Sequence, residues 1–213
     1  MSTSTSRRLI AAMQVTLDGR ILGTEGEVDW VDSWADGLDL LPPVDAFVLG
    51  GGMFPDYEQF WSAILDDPKA ASAMLGRDPY PRELSYARLA AQTPHLVLST
   101  TLSEATWPTA RIVGNIDEIR ALRQQPGEAV YVVGGPRLVA SLIAADLLDE
   151  LRLIVHPVLV GGGTSFLGAI IPRRALDLVA AERTARGRVM LIYGLRASTA
   201  SSSERAHAST SRA

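Results

Sequence analysis

The strongest chemical signal in the chain is a glycine pair inside Tyr131-Val-Val-Gly-Gly-Pro-Arg-Leu138. Val130 to Val133 is a β-branched run suited to a buried strand, Gly134 and Gly135 end it, and Pro136 falls where a helix tolerates a missing N–H. A helix starting there has first-turn amides with no partner inside the helix, and two residues without Cβ let a ligand approach them. Phosphate suits those amides and the helix dipole, which makes the stretch a candidate pyrophosphate cradle. The pattern is neither GxGxxG nor a P-loop with its Lys-Ser/Thr, so a plain strand-to-helix turn explains it equally well in isolation.

Three further groups stand directly after apolar runs. Gly50-Gly51-Gly52 follows Ala46 to Leu49, Ser99-Thr100-Thr101 brings hydroxyls and amides to the end of Leu96 to Leu98, and Asp18-Gly19 follows Leu9 to Val15. Asp18 fixes an Asp-Gly turn more simply than it performs chemistry. His156, ahead of Pro157, reads as a packed mid-strand residue, and Gly161-Gly-Gly163 as a chain turn. His95, His156 and His207 are too scattered for metal-ligand spacing, and with no cysteine there is neither a thiol nucleophile nor a thiolate site; no metal is expected.

These groups need strands and helices to carry them. Strands are expected at Leu9–Val15, Ala46–Leu49, Leu96–Thr100, Ala110–Val113, Val130–Val133 and Arg152–Val160, with a short extended piece at Ile21–Gly23. Helical spacing runs through Tyr57–Leu65, Glu83–Ala91 and Ile116–Gln124, and from Pro136 through Leu148. Trp30 to Leu41 is helical or irregular, and Asp66 to Tyr80 is a surface excursion with some helix near Ala70–Leu75. Leu176–Glu182 and Arg188–Leu195, joined by Arg186-Gly187, form an antiparallel hairpin. Strands alternating with helices and closed by a hairpin predict an α/β fold of three layers, with a mostly parallel sheet. Ligands on such sheets lie at the carboxyl ends of the strands, where all four groups fall.

The chain has 213 residues, 47% of them hydrophobic, and a mean hydropathy of +0.13, enough for one well-filled soluble domain. A net charge of −4 without a basic cluster argues against nucleic acid as partner, and no apolar run reaches membrane-spanning length. The expectation is a cytoplasmic domain over residues 8–197, with disordered ends at 1–7 and in the Ser/Ala-rich stretch 198–213. The free edge of the hairpin leaves pairing into a homodimer open.

Taken in order, Leu9-Ile-Ala-Ala-Met-Gln-Val-Thr-Leu-Asp-Gly-Arg-Ile-Leu-Gly23, Gly26-Glu-Val-Asp-Trp30, Phe60-Trp61, Ser99-Thr-Thr-Leu102 and Val132-Val-Gly-Gly-Pro-Arg-Leu138 through Gly163 resemble the dihydrofolate-reductase-like superfamily. The likeness is closest to the reductase domain of riboflavin biosynthesis (the RibD C-terminal domain) and its stand-alone relatives, and spans about residues 8 to 196. The resemblance implies NADPH, with NADH as the alternative, as hydride donor to a C=N or C=O of a small pteridine- or pyrimidine-like substrate. It places Ala11 and Ala12 beside the nicotinamide, with the loop of Leu17, Asp18 and Gly19 closing over it. Gly134 and Gly135 hold the pyrophosphate, through a cis peptide, flanked by Val133, Pro136, Arg137 and Leu138. Gly50 and Gly51 border the cofactor, and Ser99, Thr100 and Thr101 lie by the adenosine. The substrate lies against Trp30 to Asp36, with Trp30 stacking on it and Asp32 as the proton-donating acid or ring anchor. Asp29 and Asp36 compete with Asp32 for that role, and core packing for Trp30 and a helix-start role for any of the three aspartates are the competing readings. The chain departs from the family where an Arg and a Thr are expected after Gly50 and Gly51-Gly52-Met53 stands instead, which opens the NADPH preference to question. Arg77, Arg82, Arg88 or Arg111 could substitute. The alternative function is a non-catalytic binding module that kept the pocket and lost cofactor affinity.

Overall fold

The computed structural model describes residues 6–167, 171 and 173–196, the side chains of 38–40 and 68 excepted; of the expected disordered stretches 1–7 and 198–213, residues 1–5 and 198–213 lie outside them. The first half of the chain forms β1 (Leu9–Thr16), β2 (Arg20–Leu22), a 3-10 segment (Trp34–Leu40), β3 (Val44–Gly50), α1 (Phe54–Asp66), α2 (Pro68–Leu75) and α3 (Pro81–Gln92). Then come β4 (His95–Leu98), β5 (Ala110–Val113), α4 (Asp117–Gln124), β6 (Ala129–Gly134) and α5 (Pro136–Ala144). β7 (Glu150–His156), β8 (Thr164–Ser165), β9 (Leu176–Arg183) and β10 (Val189–Leu195) complete it.

Side-chain alternation along the central strands divides the interior into two cores. Leu9, Ala11 and Val15 of β1, Ala46 and Val48 of β3, and Val130 and Val132 of β6 face α4 and α5, where they meet Ile119, Leu122, Leu138 and Leu142. Ala12, Phe47, Leu49 and Tyr131 face the other way, onto Phe54, Trp61 and Ile64 of α1 and Tyr86, Ala87 and Ala90 of α3. Each fully buried leucine, such as Leu9 or Leu142, contributes about 2 kcal/mol. The layers are those of the expected α/β/α dihydrofolate-reductase-like fold.

The main sheet has eight strands in the order β5-β4-β3-β6-β1-β7-β10-β9. β5 through β7 run parallel, and the β9–β10 hairpin adds the antiparallel edge. Tight parallel register, such as Ala11 opposite both Val132 and Leu151, brings the carboxyl ends of β1, β3, β4 and β6 to one edge of the sheet.

The helix expected near Ala70–Leu75 is present as α2 and starts two residues earlier, where Asp67 accepts from the amides of Lys69 and Ala70. Two local expectations are corrected. α5 stops at Ala144, short of Leu148; Asp146 turns at φ 53°, and Leu147 and Leu148 are buried beyond the helix. Arg7 is no loose end: it is buried, its side chain pairs with Asp45, and its amide donates to the Arg123 carbonyl.

Candidate functional site

A cleft of about 1240 Å³ runs along the carboxyl edge of the sheet. One end is built from glycines and hydroxyls. Gly50, Gly51 and Gly52 leave β3, Ser99, Thr100 and Thr101 leave β4, and Gly135 to Leu138 opens α5. Packing here is close enough to dictate residue type: a Cβ on Gly51 would lie 2.4 Å from Ser99 Cβ, so no side chain fits there beside Ser99.

Gly134 and Gly135 adopt φ 138° and 86°, conformations that other residues rarely take. Gly134 is buried, and a Cβ there would meet Met13 Sδ at 3.0 Å, so this glycine serves strand-to-helix packing. Gly135 is the N-cap of α5, and a Cβ on it would find nothing within 4 Å. No side chain caps α5, Pro136 has no N–H, and the Arg137 and Leu138 amides face no intrahelical acceptor. The Gly134–Gly135 peptide is trans, against the expected cis form, and no cis peptide occurs among the described residues.

Arg137, in the first turn of α5, lines the cleft and makes no side-chain hydrogen bond or ion pair with any described residue. None of the substitutes considered from sequence lines it. Arg77 is bidentate to Glu83 at 2.8 and 2.9 Å, Arg82 pairs with Asp32 and Asp36 at 3.0 Å, and Arg111 pairs with Glu118.

The other end of the cleft is aromatic. Tyr57, Phe60 and Trp61 of α1, Tyr86 of α3, Tyr131 of β6 and Trp34 line it, and the Tyr57 and Tyr86 hydroxyls bond each other at 3.1 Å. Burial raises the pKa of Tyr57, Tyr86 and Tyr131, so all three stay neutral. Gly37 brings the 3-10 segment against this wall; a Cβ there would sit 3.3 Å from the Tyr131 hydroxyl and 3.8 Å from Ala12 Cβ. Gln14 at the floor is fully engaged, donating through Nε2 to the Ser33 carbonyl and accepting through Oε1 from His156 Nε2, both at 2.8 Å.

Several expected site residues lie elsewhere. Ala12 lines the cleft but Ala11 does not, because adjacent strand residues face opposite sides and Ala11 is sealed in the α4–α5 core. Leu17, Asp18 and Gly19 stay outside. Asp18 accepts from Thr16 Oγ1 at 2.6 Å and from the Gly161 and Val160 amides at 2.8 and 3.3 Å, bonds that lower its pKa to about 2 and tie the loop tip to the 157–163 segment. The residues that reach the cleft from this region are Ile21, Leu22, Gly26 and Val28.

Trp30 and Asp32 border a separate hollow of about 210 Å³ with His156, Arg186 and Arg188. Asp32 pairs with Arg82 at 3.0 Å and Arg186 at 2.7 Å, and accepts from the Tyr80 hydroxyl at 3.3 Å. Burial would raise its pKa, but Arg186, Tyr80 and Arg82 outweigh that and hold it below the usual carboxylate value. Asp36 is clamped likewise, by Arg82 and Arg188. His156 is the last residue of β7, not mid-strand, and burial followed by Arg188 lowers its pKa.

The structure therefore gathers Ala12, Gly50, Gly51, Ser99, Thr100, Thr101, Val133, Gly135, Pro136, Arg137 and Leu138 in one cleft. It adds Met13 and Asp56, which sequence reasoning passed over, together with Trp34 of the expected substrate segment and Met53 of the stretch that departs from the family pattern. The i, i+4 pairing of Asp56 with Phe60 was the one local signal that could have found Asp56.

Comparison with known proteins agrees with this architecture. The chain is 31% identical over 190 residues to the uncharacterised protein YyaP of Bacillus subtilis (strain 168), covering 88% of this chain and 94% of that one. It is 25% identical over 163 residues to YwjB of the same organism, covering 74% of this chain and 80% of that protein. A putative riboflavin biosynthesis protein from Shewanella sp. PV-4 shares the fold with a TM-score of 0.60 at 20% identity, over 89% of this chain and 99% of that one. The Thermotoga maritima diaminohydroxyphosphoribosylaminopyrimidine deaminase/5-amino-6-(5-phosphoribosylamino)uracil reductase superposes with a TM-score of 0.54 at 13% identity, over 91% of this chain and 58% of that one. The model of the RibD C-terminal domain matches residues 7–190, and with the fold and the relatives above this shows that the chain belongs to the RibD C-terminal domain family.

Proposed function

We propose that the protein is a nicotinamide-dependent reductase, using NADPH or NADH to reduce a C=N or C=O of a small planar heterocycle. The observation that carries this reading is the start of α5: an uncapped helix whose N-cap, Gly135, opens on empty cleft, beside the unpartnered Arg137. Bare amides, helix dipole and a free guanidinium fit a pyrophosphate. Ser99, Thr100 and Thr101 would border the adenosine, and Ala12 leaves room for a ring against β1. A reduced nicotinamide, when bound, supplies the hydride; the protein's part is alignment and exclusion of water.

Gln14, fixed by Ser33 and His156, holds the floor of the cleft in one orientation. Asp32 is an arginine-held carboxylate outside the cleft, and its role in this reading is to pin the Trp30–Asp36 segment to the tip of the C-terminal hairpin. Arg137 meets the pyrophosphate that NADPH and NADH share, so either cofactor is accepted.

Titration of the purified protein with NADPH and NADH, read by tryptophan quenching and energy transfer to the nicotinamide, tests the proposal. Micromolar binding that is lost in Gly135→Asp is expected. No binding of either cofactor up to millimolar concentration would refute it and favour a binding module without cofactor.

A further inference from the structure

The hollow of about 210 Å³ beside Trp30 lies outside the cleft. It is smaller than the about 300–1,000 Å³ of pockets that enclose organic ligands, so its size suits an ion. The Trp30–Asp36 segment forms one wall, and the turn of the C-terminal hairpin forms another with Arg186 and Arg188. That turn holds Arg186 at φ 60° and ψ 30°, a left-handed conformation uncommon for a residue with a Cβ. Charge around the hollow does not cancel. Arg186 and Arg82 hold Asp32, and Arg82 and Arg188 hold Asp36, so three guanidiniums meet two carboxylates and one positive charge is left over. Asp32 also accepts from the Tyr80 hydroxyl and presents no bare negative charge.

Two side chains of the hollow are more than nine-tenths buried and still keep a nitrogen without a partner among the described residues. Arg188, 9% exposed, donates through Nε to the Ala185 carbonyl and pairs through Nη1 with Asp36, which leaves Nη2. His156, 4% exposed, is bonded through Nε2 to Gln14 Oε1, which leaves Nδ1. Both nitrogens stay accessible from the hollow. The Ser33 carbonyl can only accept, so it draws Gln14 Nε2 toward itself and turns Oε1 to His156, whose Nε2 must carry the hydrogen. Nδ1 is then a bare lone pair in the neutral ring and a second donor in the charged one.

From this arrangement we infer that the hollow is a binding site for a small free tetrahedral oxyanion of the phosphate and sulfate type, held by Arg188, Arg186 and the charged form of His156. A planar carboxylate asks for two parallel donors of one guanidinium, and Nε and Nη1 of Arg188 are already committed. Single donors converging from separate elements suit a tetrahedral ion instead. The charges facing His156 are Arg188 and Arg186 from the hairpin and Asp36 and Asp32 from the opposite segment, while β1 presents the neutral Gln14. Burial, then Arg188, lowers the His156 pKa in the free protein. An anion between the two side chains offsets both effects, so its binding takes up a proton.

Sulfate, whose charge is constant from pH 5 to pH 8, is the probe, titrated into the full chain at an ionic strength held constant with chloride. The chain has three histidines, and the NMR ring signals of His156 are identified by their loss in His156→Gln. Sulfate is expected to move those signals to saturation, to raise the pH at which the ring titrates, and to bind about threefold or more tighter at pH 5.5 than at pH 7.5. Phosphate acts likewise and acetate does not. Arg186→Gly removes the surplus charge at a position whose backbone glycine adopts freely, so the fold is kept and sulfate binds about threefold or more weakly. Arg137→Ser, which disarms the start of α5 as an anion site, leaves the His156 response intact. His156 signals indifferent to sulfate, an equal response to acetate, unchanged affinity in Arg186→Gly, or a response lost in Arg137→Ser would overturn the inference. None of these outcomes depends on nicotinamide binding, so the reductase reading stands or falls separately.

Discussion

His95 gives a prediction whose size follows from its surroundings. It begins β4 with no exposed surface, and its ring lies 4.9 Å from that of Phe47, 5.3 Å from Trp107 and 5.8 Å from Tyr57. Nδ1 bonds the Thr93 carbonyl at 2.7 Å, while Nε2 is buried without a partner. Such a ring can hold one proton on Nδ1, but a second on Nε2 would be an unsolvated charge. Burial lowers its pKa to about 4, against smaller opposing effects of the Thr93 bond and Glu58. In the unfolded chain the same residue titrates near pH 6.5. Between those values the unfolded state binds the extra proton and the folded state does not, so stability falls as pH falls. The loss from this residue is about 2 kcal/mol at pH 5 and about 3 kcal/mol at pH 4, relative to pH 7.5. Urea unfolding of wild type and His95→Phe across that range isolates it, because carboxylate titrations common to both proteins cancel. The variant loses the Thr93 bond, about 1 kcal/mol at every pH, and its stability should then fall less steeply than wild type below pH 6.5. Parallel curves would refute the assignment of a neutral, desolvated His95.

Other consequences can be checked singly. Glu58 of α1 is buried and accepts from the Thr106 and Trp107 amides at 2.9 and 2.6 Å, so Glu58→Ala orphans two donors and should cost about 2–4 kcal/mol, seen as a lower urea midpoint with unchanged slope. Glu58→Gln keeps one acceptor and should cost much less. Gly51→Ala drives a methyl into Ser99, a loss of about 1–3 kcal/mol, and Ser99→Gly in the same chain should recover most of it in a double-mutant cycle. Glu83 is buried and tied to Arg77, and its pKa stays low because Arg77, the Tyr80 amide and Ser33 outweigh burial. Its contribution is present above its unfolded pKa and is lost as pH falls through the lower folded value, so Glu83→Gln should flatten the acid limb of the stability curve. Leu178 and Val179 are 58% and 64% exposed on the edge strand β9; if two copies pair there, sedimentation shows a dimer that Val179→Arg converts to monomer.

The local code for most elements was plain in the sequence. Short continuous apolar runs marked β1, β3 and β6, period 3.6 marked α1, α3 and α4, and Gly134-Gly135-Pro136 marked the turn into α5, because these patterns depend on neighbours within a few residues. The turn role of Asp18 was equally legible, since an Asp-Gly pair carries its own geometry. The helix at Pro68 was legible only as some helix near Ala70–Leu75, because eight residues make little more than two turns. The end of α5 was obscured because Leu147 and Leu148 keep the apolar spacing while the chain has already turned at Asp146.

Which residues share a site depended on parts of the chain far apart. Nothing local distinguishes Asp32 from Asp56. Tertiary packing closes Arg82 and Arg186, 50 and 154 positions away, onto the first and leaves the second unpartnered in the cleft. Ala11 and Ala12 are adjacent and alike, and the sheet's two covered faces send one into the core and the other to the ligand side. The sequence by itself determined the strands, the helices, the glycine turn and the layer class, since each rests on short-range sterics and periodicity. The tertiary structure alone decided which charges are cancelled and which remain free, because ion pairing depends on distances that only the closed fold defines.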